Sequence, residues 1–402
     1  MKCGIGLKNN LSENNLFGLI LSLTKEYIHI GKTKAPMKIA IVGSRGYPYV
    51  YSGYETFVKE LSERLIKKNI EVVVYCHSGL YVEKPKKING IKLIYIPTIQ
   101  SKSLSQFIHS LFSIIHFCFS DIKNLLVVNV ANAPFGFLTF FFKKTTVINV
   151  DGLEWLRPKW KGPGQFYFKF CAKIVKYSFD KIVTDSDEMK KVYLQNFKTK
   201  SELIRYGSMN VNNEKSKVLE KYDLKRNSFY LVIGRLIPDN NADKIVKSFL
   251  DTSSQKKLLI VGDVPYQSLY ANTIKNIKSD QVVFTGYITS ENELADLYKN
   301  CFAYVHGHEF GGTNPTLINA ISFNCKIMAL DTVFNREMLR NGDFGVFFNK
   351  KKKSIRNVFN EIESNNNVTS ISMSSRKKYI ENNYNWDLIS DQYVDLFNGH
   401  QV

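Results

Sequence analysis

Cysteine is scarce in this 402-residue sequence, and no two cysteines stand in a CxxC or similar metal-binding pattern. Most of them lie among apolar neighbours, as reduced, buried thiols do in cytosolic proteins; the six are Cys3, Cys76, Cys118, Cys171, Cys301 and Cys325. Their spacing excludes a disulfide framework, and only 23 Gly and 10 Pro exclude a collagen-like chain. An apolar content of 44% excludes a disordered chain. The sequence predicts a folded, cytoplasmic protein.

Long apolar runs are also missing. The longest, residues 107–119, is interrupted by Ser and His and is shorter than the roughly 20 residues that a membrane-spanning helix needs. An earlier run at residues 16–23 follows Glu13 and is not followed by a small-residue cleavage site, so it does not resemble a signal peptide. We expect no membrane-spanning segment, which leaves attachment to a membrane surface open.

Acidic residues are outnumbered, with 36 Asp and Glu against 55 Lys and Arg and a formal net charge of +19. This excess favours an anionic partner, such as a nucleic acid, a phosphate-bearing ligand or an anionic membrane face. Residues 1–36 hold five basic and two acidic residues, so most of the excess lies in the remainder. We interpret residues 1–36 as an N-terminal extension or tail, because a buried-strand pattern begins at Met37.

Strand-like and helix-like segments alternate from Met37 onwards, which predicts parallel sheets covered by helices on both faces. A polar, charged stretch at residues 210–227 interrupts the alternation, which then resumes. The pattern predicts an α/β protein of two doubly wound, Rossmann-like domains, residues 37–208 and 209–402, that face a cleft. The first glycine loop lacks the GxGxxG spacing, so a dinucleotide-binding domain is disfavoured.

A glycine pair, Gly311–Gly312, follows a predicted strand in the second domain. Thr313 or Asn314 stands at a helix-capping position, and Pro315 fits the first helical turn, where its missing N–H costs nothing. Such a helix start carries about half a positive charge, and the glycines leave space in front of it. The motif favours a diphosphate site over an ordinary strand-to-helix connection.

Two patterns allow a metal ion by residue type alone. His306 and His308 have no third ligand spaced for zinc. Asp185 and Asp187 form a DxD pattern, but Asp185 with Glu188 also fits a helix cap with its reciprocal carboxylate. We favour the cap and expect no metal.

Further candidate residues follow other predicted strands. Arg235, after residues 229–233, is either a phosphate-binding side chain or an ordinary surface arginine. The loop at residues 151–160 combines carboxylates, tryptophans and basic residues, as a sugar-binding platform does. From Arg157 to Lys181, basic and aromatic residues interleave, which fits either a solvated basic helix or a surface that lies on anionic lipid.

Together these segments resemble glycosyltransferase family 4, and more closely its rhamnosyltransferase-like bacterial branch. The resemblance covers Met37 to about Phe397 and is carried by GSRGYP, YSGYETF, DGLEWLRPKW, GRLIPDNN, LLIVGDVPY, FTGYI, AYVHGHEFGGTNPTLINA and YNWDLISDQYVDLF. It implies the GT-B fold, in which the last helix, about residues 386–397, crosses back onto the first domain. It also implies transfer with retained anomeric configuration and without a metal or other cofactor, the nucleotide-sugar being a co-substrate.

The resemblance assigns roles to individual residues. Asp151 and Arg235 would be catalytic. The donor would bind to the second domain, at Arg235, Asn240, Gly262, Tyr287, His306, Gly311, Gly312, Thr313, Asn314, Thr316 and Asn319. The acceptor would bind to the first domain, at Gly53, Tyr54, Glu55, Glu154, Trp155 and Arg157.

Several positions depart from the family pattern. Asn240 stands where most members have a lysine, and Asp151 stands where the wider family has a histidine. Gly311 and Asn319 replace a glutamate pair, of which the second usually holds the ribose hydroxyls. Exchanging that charged hydrogen bond for a neutral one costs about 1 kcal/mol, which weakens donor binding without abolishing it.

The resemblance predicts a cytoplasmic glycosyltransferase, peripheral on the inner face of the plasma membrane. It would move L-rhamnose from dTDP-rhamnose to a polyprenyl-diphosphate-linked saccharide for capsule, O-antigen or other surface polysaccharide. The alternatives are a nucleotide-sugar epimerase of the same fold and a catalytically impaired sugar-nucleotide-binding protein, the latter because of Asn319. Nucleic-acid binding rests on charge alone, so we expect no nucleic acid partner.

Overall fold

The structure, a computed structural model, describes residues 36–48, 53–99, 104–158, 160–209, 216–364 and 372–400. The predicted extension therefore lies outside the described residues except for Pro36, and so do residues 210–215 of the polar stretch. Within the described part, no helix is long and apolar enough to cross a membrane.

A mostly parallel sheet forms the centre of the first half of the chain. Its strands are β1 (Lys38–Val42), β2 (Glu71–His77), β3 (Lys87–Ile88), β4 (Ile91–Ile96), β5 (Asn124–Val128), β6 (Thr145–Asn149), β7 (Lys181–Thr184) and β8 (Glu202–Leu203). They are arranged in the order β3-β4-β2-β1-β5-β6-β7-β8, and only the pairing of β3 with β4 is antiparallel. The helices are α1 (Gly53–Lys67), α2 (Leu104–Cys118), α3 (Pro163–Ser178) and α4 (Asp187–Phe197).

A second parallel sheet forms the centre of the other half. Its strands are β9 (Phe229–Ile233), β10 (Lys257–Val261), β11 (Val282–Gly286), β12 (Ala303–His306), β13 (Ile327–Leu330) and β14 (Val346–Phe348), in the order β11-β10-β9-β12-β13-β14. The helices are α5 (Val218–Lys221), α6 (Ala242–Phe249), α7 (Leu269–Lys275), α8 (Glu291–Asn300), α9 (Pro315–Ser322), α10 (Val333–Met338), α11 (Lys352–Ser364), α12 (Met373–Asn383) and α13 (Trp386–Phe397).

Burial explains why the strands have continuous apolar sequences. In β1, Ile39 to Val42 are fully buried, because helices cover both faces of the sheet. One face is covered by α2, α3 and a 3₁₀ segment, Val130–Phe142, that connects β5 to β6. The 3₁₀ segment packs against both helices.

The last helix returns to the first half of the chain, as predicted. Helix α13 packs on α1, where the Tyr393 and Phe57 rings lie 5.6 Å apart. Lys68 Nζ and Asp391 Oδ1 are 2.6 Å apart at the edge of this contact, and Asn149 Nδ2 donates to the Tyr393 hydroxyl at 2.9 Å. The carboxyl ends of both sheets consequently meet across one cleft.

Candidate active site

The cleft is closed by contacts between loops at the carboxyl ends of the two sheets. From the first domain come Asp151, after β6, and Asp185, after β7. From the second come Arg235, after β9, and the loop 307–314, between β12 and α9. In an open parallel sheet these ends are where ligands bind.

Asp151 is held by two tyrosines. The Tyr206 hydroxyl donates to Asp151 Oδ2 at 2.7 Å, and the Tyr54 hydroxyl donates to the Asp151 backbone oxygen at 3.4 Å. Burial raises the pKa of the Asp151 carboxyl above its usual 3.8, although the hydrogen bonds from Tyr54 and Tyr206 oppose the shift. The structure thus brings two predicted site residues, Asp151 and Tyr54, together.

Arg157 bridges the two domains. Its Nε lies 2.8 Å from Glu154 Oε1, whose other oxygen accepts from Trp160 Nε1 at 2.8 Å. Across the cleft, Arg157 Nη1 lies 3.6 Å from Asp239 Oδ2, and Nη2 donates to the Phe310 backbone oxygen at 3.5 Å. A predicted acceptor residue therefore lies directly against the second domain.

Other predicted acceptor residues lie apart from this bridge. Trp155 is 3% exposed and packs edge-on against Phe197, with ring centroids 5.2 Å apart, so its indole belongs to the core. Glu55 is buried and accepts from the Arg45 backbone N–H at 3.1 Å, which fixes the glycine loop after β1. Gly53 is exposed at the start of α1.

Two arginines from different domains flank a neutral histidine. Burial, together with the positive charges of Arg235 and Arg157, lowers the pKa of His308 to about 3. The His306 ring stacks on that of His308 with centroids 4.5 Å apart, and burial also lowers its pKa well below 6.5. Asn240 Nδ2 donates to the Arg235 backbone oxygen at 2.9 Å, which fixes the loop after β9. Positive charge at this point therefore comes from the arginines.

The glycine turn before α9 holds a carboxylate of the other domain. The Thr313 backbone N–H donates to Asp185 Oδ2 at 2.7 Å, and Thr313 Oγ1 donates to the Asp185 backbone oxygen. A Cβ atom added to Gly312 would lie 1.8 Å from Asp185 Oδ1, so only glycine fits here. Burial raises the pKa of Asp185 well above 3.8, and the negative charges of Asp151 and Glu337 add to the shift. The turn therefore binds an oxygen of the Asp185 carboxyl group through the Thr313 backbone amide.

The helix start after this turn is as predicted. Asn314 caps α9, because its Oδ1 accepts from the Thr316 backbone N–H at 3.1 Å, and Pro315 occupies the first turn. The Tyr304 hydroxyl donates to Thr316 Oγ1 at 2.8 Å. The cap predicted at Asp185 is wrong: Ser186 Oγ accepts from the Met189 N–H at 3.2 Å and caps α4. Asp185 has turned towards the other domain instead.

The remaining predicted donor residues lie around this centre. Asn319 Oδ1 accepts from the Met209 backbone N–H at 2.8 Å, at the connection between the domains. Gly262 has φ +126°, and a Cβ added to it would lie 2.2 Å from the Gly234 backbone oxygen, so the loops after β9 and β10 touch closely. Tyr287 is half exposed, and its hydroxyl donates to the Asp263 backbone oxygen at 2.8 Å.

A cavity of about 460 Å³ opens beside the loop after β10. Its lining includes Asp263, Tyr266 and Lys275. Among the residues that the structure describes, no group of three or more His, Cys, Asp or Glu side chains is arranged to hold a metal ion. Transfer without a metal stays a prediction.

Several residues at the cleft were not predicted as donor- or acceptor-binding residues, among them Asp185, Tyr206, Asp239, His308 and Glu337. Asp185 directly follows a strand at its carboxyl end, so the rule that selected Asp151 would also have selected it. No sequence pattern around Tyr206 or Glu337 indicates a site residue, because the positions of both side chains depend on how the two domains meet.

Two family models match the chain. Residues 37–209 match "Domain of unknown function (DUF1972)", and residues 214–386 match "Glycosyl transferases group 1". The chain carries a glycosyl transferases group 1 domain. The domain boundary predicted between residues 208 and 209 stays a prediction.

A curated relative shares part of the sequence. It is the N-acetylgalactosamine-N,N'-diacetylbacillosaminyl-diphospho-undecaprenol 4-alpha-N-acetylgalactosaminyltransferase of Campylobacter jejuni, 24% identical over 183 residues. The match covers 44% of this chain, and the chain spans about half the length of the relative.

Solved structures share the fold of the glycosyl transferases group 1 domain and its partner domain. Sucrose-phosphate synthase from Thermosynechococcus elongatus superimposes with a TM-score of 0.75 at 15% identity, covering 90% of this chain and 98% of the other. HepE from Anabaena, solved with UDP, gives 0.67 at 12% identity, covering 90% and 100%. The predicted two-domain GT-B fold is confirmed.

Proposed function

We propose that the protein is a retaining glycosyltransferase that moves a hexosyl group from a nucleotide-sugar to a lipid-linked saccharide. The observation that carries the proposal is that Arg157 and the loop of Arg235 meet from different domains beside the Gly311–Thr313 turn. Arg157 Nη2 donates to the Phe310 backbone oxygen at 3.5 Å, and a Cβ added to Gly234, next to Arg235, would lie 2.7 Å from the His308 ring. Positive charge beside a turn whose Thr313 amide holds a carboxyl oxygen of Asp185 suits the diphosphate of a nucleotide-sugar.

The contact with Asp185 supports this role of the turn. The Thr313 amide holds a carboxyl oxygen of Asp185, and a phosphate supplies the same kind of oxygen acceptor. Arg235 and the turn would stabilise the diphosphate as negative charge develops on it during transfer. His306 and His308 are neutral and add no charge to this region.

We assign the first domain to the sugar and the acceptor. The Asp151 carboxyl, fixed by Tyr206, would orient the transferred sugar or the acceptor hydroxyl. Glu154 and Arg157 would hold the acceptor, and the Arg157 bridge would bring it towards the donor when the domains are together.

We propose L-rhamnose from dTDP-rhamnose as the donor, on the resemblance to the rhamnosyltransferase-like branch. The acceptor would be a polyprenyl-diphosphate-linked saccharide at the inner face of the plasma membrane, in the synthesis of capsule, O-antigen or other surface polysaccharide. The Campylobacter relative supports the lipid-linked acceptor, since its name contains diphospho-undecaprenol, whereas the sugar in its name is N-acetylgalactosamine.

The test is incorporation of labelled sugar into an extracted polyprenyl-linked acceptor pool. Purified protein is incubated separately with dTDP-rhamnose, UDP-N-acetylgalactosamine, UDP-glucose, UDP-galactose and GDP-mannose. We expect incorporation from dTDP-rhamnose. Incorporation from another donor would show that the protein is a glycosyltransferase with a donor sugar other than rhamnose. Donor conversion without acceptor would identify an epimerase, and donor binding without transfer to any acceptor would identify a binding protein.

A further inference from the structure

The layer formed by α2, the 3₁₀ segment and α3 leaves large aromatic side chains exposed. The exposed fractions are 79% for Phe119, 55% for Phe140, 88% for Phe141, 74% for Phe166, 44% for Phe170 and 61% for Tyr177. Scattered single aromatics are normal on a protein surface, but a concentration on neighbouring elements marks an interaction site.

Contacts within the layer show that these elements are continuous. Phe119, just after α2, and Phe142, at the end of the 3₁₀ segment, have ring centroids 5.2 Å apart. The Tyr167 hydroxyl of α3 donates to the Ala131 backbone oxygen in the 3₁₀ segment at 2.7 Å. Phe107 of α2 also contacts Tyr167, with centroids 6.3 Å apart. Side chains that this layer does not bury against the sheet therefore share its outer face.

Basic residues are interleaved with the exposed aromatics. On α3, Lys169 and Lys173 are exposed at helical spacing between Phe166, Phe170 and Tyr177. The sequences of α2, the 3₁₀ segment and α3 contain no Asp or Glu. The charged side chains of these three elements are thus all basic, and the exposed Asp121 that follows Phe119 is paired with Lys38 at 3.1 Å.

We propose that this outer face docks onto an anionic lipid bilayer. The aromatic rings would enter the boundary between headgroups and acyl chains, and the lysines would contact lipid phosphates. A second copy of the chain, packed through the same face, would bring like charges together and is disfavoured. The docking face is therefore assigned to a surface of opposite charge that also accepts apolar rings.

The docking face extends to the cleft. Helix α3 begins at Pro163, shortly after the loop that carries Arg157 and Trp160. The Trp160 ring packs against Phe168 with centroids 4.9 Å apart, so the exposed Phe166 lies near that loop. A bilayer on this face lies beside the cleft entrance, where it would present a lipid-linked acceptor to Glu154 and Arg157. This last step rests on the proposed function, whereas bilayer binding itself does not.

The experiment is flotation of the full-length protein with vesicles of phosphatidylcholine alone or of equal parts phosphatidylcholine and phosphatidylglycerol. We expect binding to the anionic vesicles that weakens with added salt. The double variants Phe140→Ser/Phe141→Ser and Lys169→Glu/Lys173→Glu should each weaken it at least tenfold. Leu269→Ser, which removes an 88% exposed side chain of the second domain, is the matched control and should bind normally.

The outcomes separate the two proposals. Variants that bind like the unaltered protein, or an unaltered protein that does not bind anionic vesicles, would overturn the docking face. Light scattering that shows a dimer which the Phe140→Ser/Phe141→Ser variant dissociates would assign the face to self-association and also overturn it. Vesicle binding without sugar transfer from any donor would retain the docking face and remove the proposed function.

Discussion

Arg235 is the residue on which the proposed chemistry depends most directly. It follows β9 at the carboxyl end of the second sheet and lies close enough to His308 to lower the pKa of that imidazole. We expect Arg235→Ala to lower kcat about 100-fold or more, because the variant loses the charge-assisted hydrogen bonds to the departing diphosphate. Steady-state kinetics with the nucleotide-sugar identified in the incorporation experiment would measure kcat.

The matched control for this prediction is Arg226→Ala, which removes an exposed arginine of the second domain. It should leave kcat within twofold of the unaltered protein. Arg235→Lys should recover part of the activity, since it keeps the charge without the planar fork of donors. Near-normal turnover of Arg235→Ala would remove Arg235 from the catalytic machinery.

Asp185 predicts a pH dependence of stability. Its pKa is raised in the folded protein by burial and by Asp151 and Glu337, so between pH 3.8 and the folded pKa the folded state binds more protons than the unfolded state. Stability is therefore highest below that window and falls as pH rises through it. The slope contributed by one proton reaches about 1.4 kcal/mol per pH unit.

Asp185→Asn should remove this contribution, because the amide keeps an oxygen that accepts from the Thr313 N–H and has no charge to bury. We expect urea unfolding between pH 5 and pH 8 to show a smaller loss of stability in the variant. Asp280→Asn, which alters an exposed carboxylate, is the control. Equal pH slopes for Asp185→Asn and the unaltered protein would contradict the prediction.

At the scale of elements, the sequence predicts the helices and strands whose position depends on residues close to them in the chain. The apolar run Ile39–Val42 of β1 indicated a strand buried on both faces, and Thr313 or Asn314 before Pro315 indicated where α9 begins. These two signals are local, because capping and periodicity depend on neighbours in the chain. The bounds of about 386–397 given for the last helix came from the family resemblance, and they match α13.

Contacts between distant segments escaped prediction. Asp185 is two residues before α4 and resembles a helix cap. A carboxyl group at this position can accept a hydrogen bond from the N-terminus of its own helix or from the Thr313 amide of the other domain, and the structure has the second. The sequence of the 3₁₀ segment shows only a short apolar run, residues 134–142. Its position depends on α2 and α3, which are separated from it along the chain.

Glu337 links two elements of different domains. Its carboxylate accepts from the backbone N–H groups of Asp187 at 2.9 Å and Glu188 at 2.8 Å, the first turn of α4. We expect Glu337→Gln to destabilise the protein by about 1–3 kcal/mol, because an amide nitrogen then faces a backbone donor and the charge near the helix start is lost. Thermal unfolding would measure the loss.

Glu188→Gln is the control, since Glu188 forms an exposed pair with Lys191 at 2.6 Å, and such pairs contribute little. Its midpoint should stay close to that of the unaltered protein. An equal shift in both variants would indicate that Glu337 acts as an ordinary surface charge.

At the scale of the whole molecule, the domains are joined by two kinds of contact. The loops at the cleft meet through hydrogen bonds and ion pairs, as between Asp185 and Thr313 or Arg157 and Phe310. A ligand with its own polar groups can replace such contacts. Helix α13 instead contacts α1 through buried aromatic rings, which no polar ligand can replace. We therefore expect α13 to hold the two domains together at all times, whereas a bound ligand can replace the polar contacts at the cleft.

Trp386 tests this permanent contact. Its indole is 4% exposed, lies 6.2 Å from the Phe57 ring and covers Gly207 so closely that an added Cβ would come within 2.5 Å of the ring. We expect Trp386→Ala to cost about 3–5 kcal/mol, measured as a lower midpoint in urea, because the cavity would open between the domains. Leu388→Ala, on the same helix but 45% exposed, should change the midpoint little. Equal midpoints for the two variants would show that α13 does not join the domains.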